Sequence, residues 1–517
     1  WFLTVFGTKL YLALGSATAT AAELIQSQRT LFRKVSQSVG EAKSKRYSEQ
    51  HLTDLFNPNS TYNMVLHGER ECSICHTSTV TLSPYGMGTD AEACPICNGL
   101  YRLGEQIVDS RDTVFVLARP NNSDTCESIP KVEVYVNNWN DDADNLRLYL
   151  YVVPEASLQK FEANHEILRI YSKNTAKTGH NVFNRIWLAD YVARKDNGQV
   201  YEFEELATSS GLGEDKGIKR LGVLRADVDN LGAAFIGGFI SEGSDRFKYG
   251  TLSRYADLSR DLAMFFKVAV NKMAQGDVQG FGTSVMPFTI WANKQVTTRN
   301  IHVIYSGGDD VFLVGAWDEL LELAIDIREK LAEVTDNKIT MSAGLALFSP
   351  SYPISQMAAI TGLLESVAKD NDGKDSIALF GFETNSNGEE RICRHVYKWD
   401  DLINNVIEDK LYTLDQLFVI PGINEVQDSK MKLGKGLIYK LMELLQGILN
   451  DRALGKHINV ARILYLLARL EPKKNNPTYE SYKNLVTAIH RWIQSEEDCK
   501  ALLTACNLIV YYMRDTK

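Results

Sequence analysis

The stretch "IYSGGDDVFLVG" at 304–315 constrains this 517-residue chain more than any other. Two short apolar runs flank Gly-Gly-Asp-Asp, the pattern of a β-hairpin whose tip carries two adjacent carboxylates. Runs this apolar belong inside a sheet, where acidic side chains at a strand end are unfavourable unless a cation compensates them. Gly307 and Gly308 are expected to supply positive φ at the turn and to let a ligand approach the backbone.

A second acidic strand end points to the same chemistry. "RLGVLRADVDNLG" (220–232) ends on Asp227 and Asp229, and Asn230, Leu231 and Gly232 turn the chain into the next element. If this strand lies beside the hairpin, Asp227 faces Asp309 and Asp310, and three carboxylates converge as ligands for Mg²⁺ or Mn²⁺. Two such ions roughly 4 Å apart activate an attacking hydroxyl and stabilise a leaving oxygen in phosphoryl transfer. The backbone amides of 229–232 suit a triphosphate. Lys369, in the Ala-Lys pair at 368–369, and Lys374 offer positive charge for the same phosphates.

An internal repeat organises the rest. Residues 9–15, "KLYLALG", read as a strand ending in Gly, and the helical stretch that follows closes with "VGEAKSKRYS" at 39–48. Residues 338–344, "KITMSAG", do the same, and their helix closes with "LLESVAK" at 363–369. The shared order suggests two copies of one domain, with the chain beginning inside the first. Between them, 131–139 and 147–154 alternate as strands, and the Gly-rich segment 207–217 reads as a linker. From 386 onward the texture is helical: Leu437, Ile438, Leu441, Leu444, Leu445, Ile448 and Leu449 share one helix face, and 458–470 and 482–493 repeat the pattern.

Four of the eight cysteines form two C-x-x-C pairs, Cys72/Cys75 and Cys94/Cys97, with 18 residues between the pairs. Each pair can present two thiolates to one tetrahedral ion, so a structural Zn²⁺ with no open position is expected, with His76 spare. Cys126, Cys393, Cys499 and Cys506 read as core residues. Cysteine used for metal rather than for disulfides fits a reducing compartment, and the expected location is the cytoplasm. No apolar run approaches the roughly 20 residues of a membrane span. The opening "WFLTVFGTKLYLALG" imitates a signal peptide, but Lys9 interrupts it and no basic segment or initiator Met precedes it. A net charge of −9, from 56 basic and 65 acidic residues, does not advertise a general nucleic-acid binder. Two local basic segments, Arg29, Arg33, Lys34, Lys43, Lys45 and Arg46, and Lys430, Lys432 and Lys435, remain candidate RNA or subunit contacts.

The order "LRADVDNLG", "TLSRYADLSRDLAMFF" (251–266), "YSGGDDVFLVG", "ITMSAGLALF" and "LLESVAK" resembles the second palm domain of the large subunit of type III-A CRISPR effector (Csm) complexes. The half-copy at 1–46, the cysteine module and the helical tail match that subunit in order. The resemblance implies an α+β multidomain chain with two ferredoxin-like palm domains of the nucleotide cyclase/polymerase type. Its parts would be the end of the first palm (1–48), a zinc-containing linker domain (49–215), the second palm (216–385) and a helical bundle (386–517). It further implies synthesis of cyclic oligoadenylates from ATP, switched on when target RNA pairs with guide RNA. Asp309 and Asp310 match the metal-binding aspartates of the GGDD turn, and Asp227 the palm-strand aspartate. Ser253 and Arg254 fall in a segment near bound nucleotide, and Lys369 matches a phosphate-side lysine. Implied partners are guide RNA, target RNA, other Csm subunits and single-stranded DNA. The nuclease domain usual in this family has no counterpart here, since none of the nine histidines is followed by Asp. The second ATP pocket, expected from the first palm, is only half represented.

Two alternatives remain open. A diguanylate cyclase shares the palm logic, although here Val311 separates Asp310 from Phe312. An inactive scaffold subunit would hold RNA and neighbours only, and retention of Asp227, Asp309 and Asp310 speaks against it.

Overall fold

The structure, a computed structural model, describes residues 12–514 apart from 27, 48, 60–70, 77–81, 87–90, 110–111, 122–130, 136–146, 177–182, 212–215, 240–248, 277–286, 292–297, 385–390, 420–430, 433–434 and 456–459. The chain divides into two compact units, residues 1–188 with 234–258, and 189–233 with 259–517. Among the described residues no helix is long and apolar enough to cross a membrane.

In the first unit, helix α1 (Gln28–Ser44) carries much of the first basic segment, and α2 (Pro95–Asp109) starts just after Cys94 and carries Cys97. Strands β1 (Thr113–Pro120), β2 (Lys131–Tyr135), β3 (Arg147–Pro154), β4 (His165–Lys173) and β5 (Phe183–Ile186) form a sheet in the order β2-β3-β1-β4-β5, antiparallel except for β4 with β5. Its core is Val114, Val116, Ala118, Tyr151, Val153, Leu158, Phe161 and Ile170. The strand read at 147–154 forms, though Tyr151, Val152 and Val153 are buried in succession and do not alternate, and of 131–139 the part beyond Tyr135 lies outside the described residues. Residues 12–15, read as the end of a strand, form none, and 9–11 lie outside.

The second unit is built on β6 (Leu221–Val228), β7 (Ile301–Ser306), β8 (Asp310–Ala316), β9 (Met341–Phe348), β10 (Ser376–Phe380) and β11 (Val396–Lys398), in the order β11-β10-β9-β6-β8-β7. Helix α3 (Leu231–Gly237) leaves β6, and α4 (Leu252–Met264) bridges the two units in sequence. Helices α5 (Trp317–Thr335) and α6 (Ile354–Asp370) complete the layers. Strand β6 is central and antiparallel to both β8 and β9, so it is apolar along most of its length. Met357, Leu364 and Ala368 of α6 pack on Leu221, Val223 and Ala346. Alternation puts Arg225 and Asp227 on that same face.

Close packing rests on glycines. At Gly222 a Cβ would lie 2.6 Å from Trp317 Cα, where α5 begins. At Gly344 it would lie 2.6 Å from Glu365 N and from Thr361 O, so α6 rides directly on β9. Strand β9 runs on through Gly344 to Phe348 and does not end there as the repeat suggested. In the first unit, a Cβ on Gly15 would lie 2.5 Å from Val39 N. Aligning Ala42-Lys43 with Ala368-Lys369 sets Val39 opposite Glu365, so the two halves of the repeat share one glycine-to-helix contact.

The helices of the tail are α7 (Lys435–Ala453), α8 (Ala461–Leu470), α9 (Tyr479–Trp492) and the almost wholly buried α10 (Glu496–Met513). Described parts of the expected linker are packed: Gly217 N donates to Arg514 O at 2.7 Å and Ile218 N to Tyr511 O at 2.7 Å. Gly211 and Gly217 take φ of 82° and 86° there, which glycine tolerates without strain.

Candidate functional site

Strand register assembles the carboxylates. Asp310 lies directly across from Asp227 in the antiparallel β8–β6 pair, an arrangement that places like charges on one face and is destabilising by itself. Asp309 sits in the turn and its carbonyl accepts from Val228 N at 3.1 Å, while Gly307 N donates to Asp310 O at 2.9 Å. Burial, then the charges of Asp227 and Asp310, push the Asp309 carboxyl above its ordinary 3.8, with Lys369 acting in the opposite sense. The Tyr305 hydroxyl is likewise pushed up by burial and by Asp310. The strand of Asp227 thus lies beside the hairpin with Asp310 opposite Asp227, but the three carboxylates do not converge to within 4.8 Å of one another as expected.

The reason given for the glycines does not hold. Neither Gly307 nor Gly308 takes a positive φ. A side chain at Gly307 would instead strike the Tyr305 hydroxyl and approach Asp310 Oδ1 to 2.8 Å, whereas Gly308 opens onto free space. Clearance, not backbone handedness, is what the tetrad needs at Gly307.

Lys369 is brought into this group by α6. Its ammonium contacts Asp227 Oδ2 and lies 3.0 Å from Glu365 Oε1, and Arg225 Nε lies 3.0 Å from Glu365 Oε2. Burial alone would lower the Lys369 pKa, but its bonds to Asp227 and Glu365 outweigh that and raise it above the ordinary 10.5. Glu365 and Arg225 were missed in the sequence. The signal available was Glu365 four residues before Lys369, a spacing that joins side chains on a helix.

Asp229 plays a different part from Asp227. It is buried, and its Oδ2 accepts from Thr340 Oγ1 at 2.9 Å, Ser342 Oγ at 3.1 Å and Asp375 N at 3.0 Å. These bonds tie the end of β6 to β9 and to the turn before β10. That turn is left-handed at Gly373, Lys374 and Asp375, with φ of 69°, 54° and 46°. Arg328 holds the Asp375 carboxylate at 2.8 Å. Lys374 Nζ donates to Asn230 Oδ1 at 2.8 Å, and Asn230 takes φ 53° ahead of Leu231 and Gly232, the first residues of the seven-residue α3. Ser253 and Arg254 are exposed on α4 within the first unit, and the Arg254 guanidinium lies 4.5 Å from the Tyr249 ring centre.

The cysteines form a separate centre. Ligand atoms of Cys72, Cys75, Cys94 and Cys97 all lie within 4.8 Å of one another, the only such group of His, Cys, Asp or Glu among the described residues. The three aspartates do not close to that distance. The four cysteines are unbridged by disulfides, and His76 is not in the set. Burial opposes ionisation of Cys72, but backbone N–H groups of Cys75, Cys94 and Ile74 outweigh it and hold its thiol at about 6. Burial pushes Cys94 and Cys97 up. Four converging sulfurs of this kind are a donor set for a soft tetrahedral metal.

Comparison with known proteins finds family matches over three parts of the chain. Residues 220–378 match the family described as Cas10/Cmr2, second palm domain; residues 424–515 match the second helical domain of the CRISPR RNA silencing complex Cmr2 subunit; residues 1–60 match Csm1 subunit domain B. Three stretches of the chain thus match domains of large subunits of CRISPR complexes. The chain is 32% identical over 530 residues to the CRISPR system single-strand-specific deoxyribonuclease Cas10/Csm1 (subtype III-A) of Mycobacterium tuberculosis, covering 99% of this chain and 56% of the relative. It is therefore homologous to the subtype III-A Cas10/Csm1 subunits, and it spans about half the length of the curated relatives it matches. A Csm1–Csm4 cassette in complex with pppApA shares the fold, with a TM-score of 0.63 and 21% identity over 99% of this chain and 58% of that one. A cassette in complex with cA4 gives a TM-score of 0.50 and 25% identity over 74% and 48%.

Proposed function

We propose that residues 216–385 form the ferredoxin-like second palm of a type III-A effector subunit, and that this palm joins ATP into 3′–5′ linked cyclic oligoadenylates when target RNA pairs with guide RNA. The observation that carries this reading is Asp227 paired in register with Asp310 while Asp309 occupies the adjoining turn, within a segment matching a Cas10 palm. The cA4 named in the complex of a 25%-identical relative supports the product class.

The aspartates fit a divalent cation by donor chemistry: they are hard oxygen ligands, like charges share one strand pair, and Asp309 resists ionisation where it stands. Asp227, Asp309 and Asp310 would hold Mg²⁺ or Mn²⁺, which when bound acidifies an attacking hydroxyl and neutralises a leaving pyrophosphate. The chain's own residues orient the reactants. One ATP offers its 3′-hydroxyl to the α-phosphate of another, pyrophosphate departs, and alignment of the two nucleotides supplies much of the rate. Lys374, fixed on Asn230, and the amides opening α3 present positive charge to phosphate oxygens. Gly308 leaves the backbone open to close approach. Ser253 and Arg254 would lie near bound nucleotide, and a second ATP pocket would use the first palm.

The cysteine cluster holds a structural Zn²⁺ in this reading. The domain division at 1–48, 49–215, 216–385 and 386–517 is proposed on the same footing. Guide RNA, target RNA, other Csm subunits and single-stranded DNA are the proposed partners, in the cytoplasm. The test is incubation of the assembled complex with guide RNA, target RNA, Mg²⁺ and either ATP or GTP, with products identified by mass. Cyclic oligoadenylates from ATP support the proposal; turnover of GTP alone would convert it to a diguanylate-cyclase reading.

A further inference from the structure

Arg225 and Asp227 stand two residues apart on β6, and Glu365 and Lys369 four residues apart on α6, so four charges alternate in a row: Arg225, Glu365, Lys369, Asp227. Each neighbouring pair is an ion pair, at 3.0 Å for Arg225 with Glu365, 3.0 Å for Glu365 with Lys369, and in direct contact for Lys369 with Asp227. The backbone is shaped for it. Gly344 brings α6 down onto β9, and a Cβ on Gly362 would lie 3.0 Å from Arg225 Nη1. The Glu365 side chain is 10% exposed, and those of Lys369 and Asp227 are 24% and 28% exposed.

The row ends on Asp227 Oδ2, where an ammonium and a divalent ion would compete for one carboxylate's charge and repel each other. We propose that Lys369 is the internal counter-ion of Asp227, that Glu365 is the positioning residue holding Lys369 in place, and that a divalent cation enters by displacing the ammonium toward Glu365. The proposal rests on the metal reading of the aspartates given above. It changes the role of Lys369 from a fixed phosphate contact to a group exchanged between two carboxylates. Metal entry then releases a positive charge beside the site as nucleotide arrives. Two substitutions in one ion-pair row should have opposite effects, whereas a residue that merely supported the fold would shift both the same way.

The experiment is a titration of the purified chain with MnCl₂ alone, free Mn²⁺ being read by electron paramagnetic resonance and Asp227→Asn defining the aspartate-dependent binding. Lys369→Met should tighten that binding about fivefold, the equivalent of one partly exposed ion pair. Glu365→Gln should weaken it by about the same factor, since the ammonium is left wholly to Asp227. Lys374→Gln removes an equal charge bonded to Asn230 and should shift it less than about twofold. Melting curves check that each variant folds, and Glu365→Gln decides the question if Lys369→Met does not. Unchanged affinity in Lys369→Met, a matching shift in Lys374→Gln, or tighter binding in Glu365→Gln would each overturn the proposal. Absence of any Asp227-dependent Mn²⁺ binding in the unsubstituted chain would instead overturn the metal reading on which it stands.

Discussion

Cys72, Cys75, Cys94 and Cys97 come from one short segment, whereas Asp227, Asp309 and Asp310 come from strands far apart in sequence and meet only through sheet register. The sulfurs converge within 4.8 Å of one another. The aspartates carry their own cation, since Lys369 already sits on Asp227. The difference teaches what each metal would do. Four thiols gathered from one short segment depend on their metal to hold the local fold, while a carboxylate group balanced by an internal lysine lets the sheet fold first and take metal later.

The largest expected effect would break this contrast if it failed. Chelation of the cysteine-bound metal, or Cys94→Ser, should unfold residues 71–109, because structural zinc in peptides contributes about 10–16 kcal/mol of apparent binding energy. Hydrogen exchange should rise there and stay protected at 221–228 and 341–348. Withdrawal of Mg²⁺ should leave exchange in both segments unchanged. Next in size is Gly344→Ala, whose methyl would press on the α6 backbone at 2.6 Å and cost about 1–3 kcal/mol. A melting curve measures the loss, and the same variant should weaken Mn²⁺ binding by shifting Glu365 and Lys369.

A smaller effect has the opposite sign. Asp309 has its pKa raised in the fold, so the folded state binds the proton more tightly and loses stability as pH rises above 3.8. Asp309→Asn should therefore raise the melting temperature at neutral pH while removing activity. The smallest test separates the second unit's acid sensitivity from its carboxylates. His395, bonded to Thr504 of α10 at 2.8 Å, is held by burial at about 4 against its ordinary 6.5. The unfolded chain takes up this proton first, so stability should fall as pH drops from 6.5 to about 4. His395→Gln should flatten that part of the pH–stability curve.

Much of the site was legible because its signals are local. Gly-Gly-Asp-Asp between two apolar runs and the two C-x-x-C pairs each announce their chemistry within a few residues, and Asp227 follows from one strand ending in charge. Glu365, Arg225 and the anchoring role of Asp229 were not legible, because they depend on which strand lies beside β6 and on how closely α6 rides over Gly344. The reading of Gly307 failed for a related reason: the clash that excludes a side chain comes from Tyr305, and sequence alone shows the neighbour but not its ring's position. The repeat was read through its strands, yet the contact that the halves share is between a glycine and a helix backbone, Gly15 with Val39 and Gly344 with Glu365.

The central claim, that Asp309 and Asp310 do the chemistry, is tested most directly by substituting both with alanine. The complex carrying Asp309→Ala and Asp310→Ala would be assembled with guide and target RNA, given ATP and Mg²⁺, and its products identified by mass beside those of the unsubstituted complex. The account predicts cyclic oligoadenylates from the unsubstituted complex and none from the double variant. Equal product from both would contradict it.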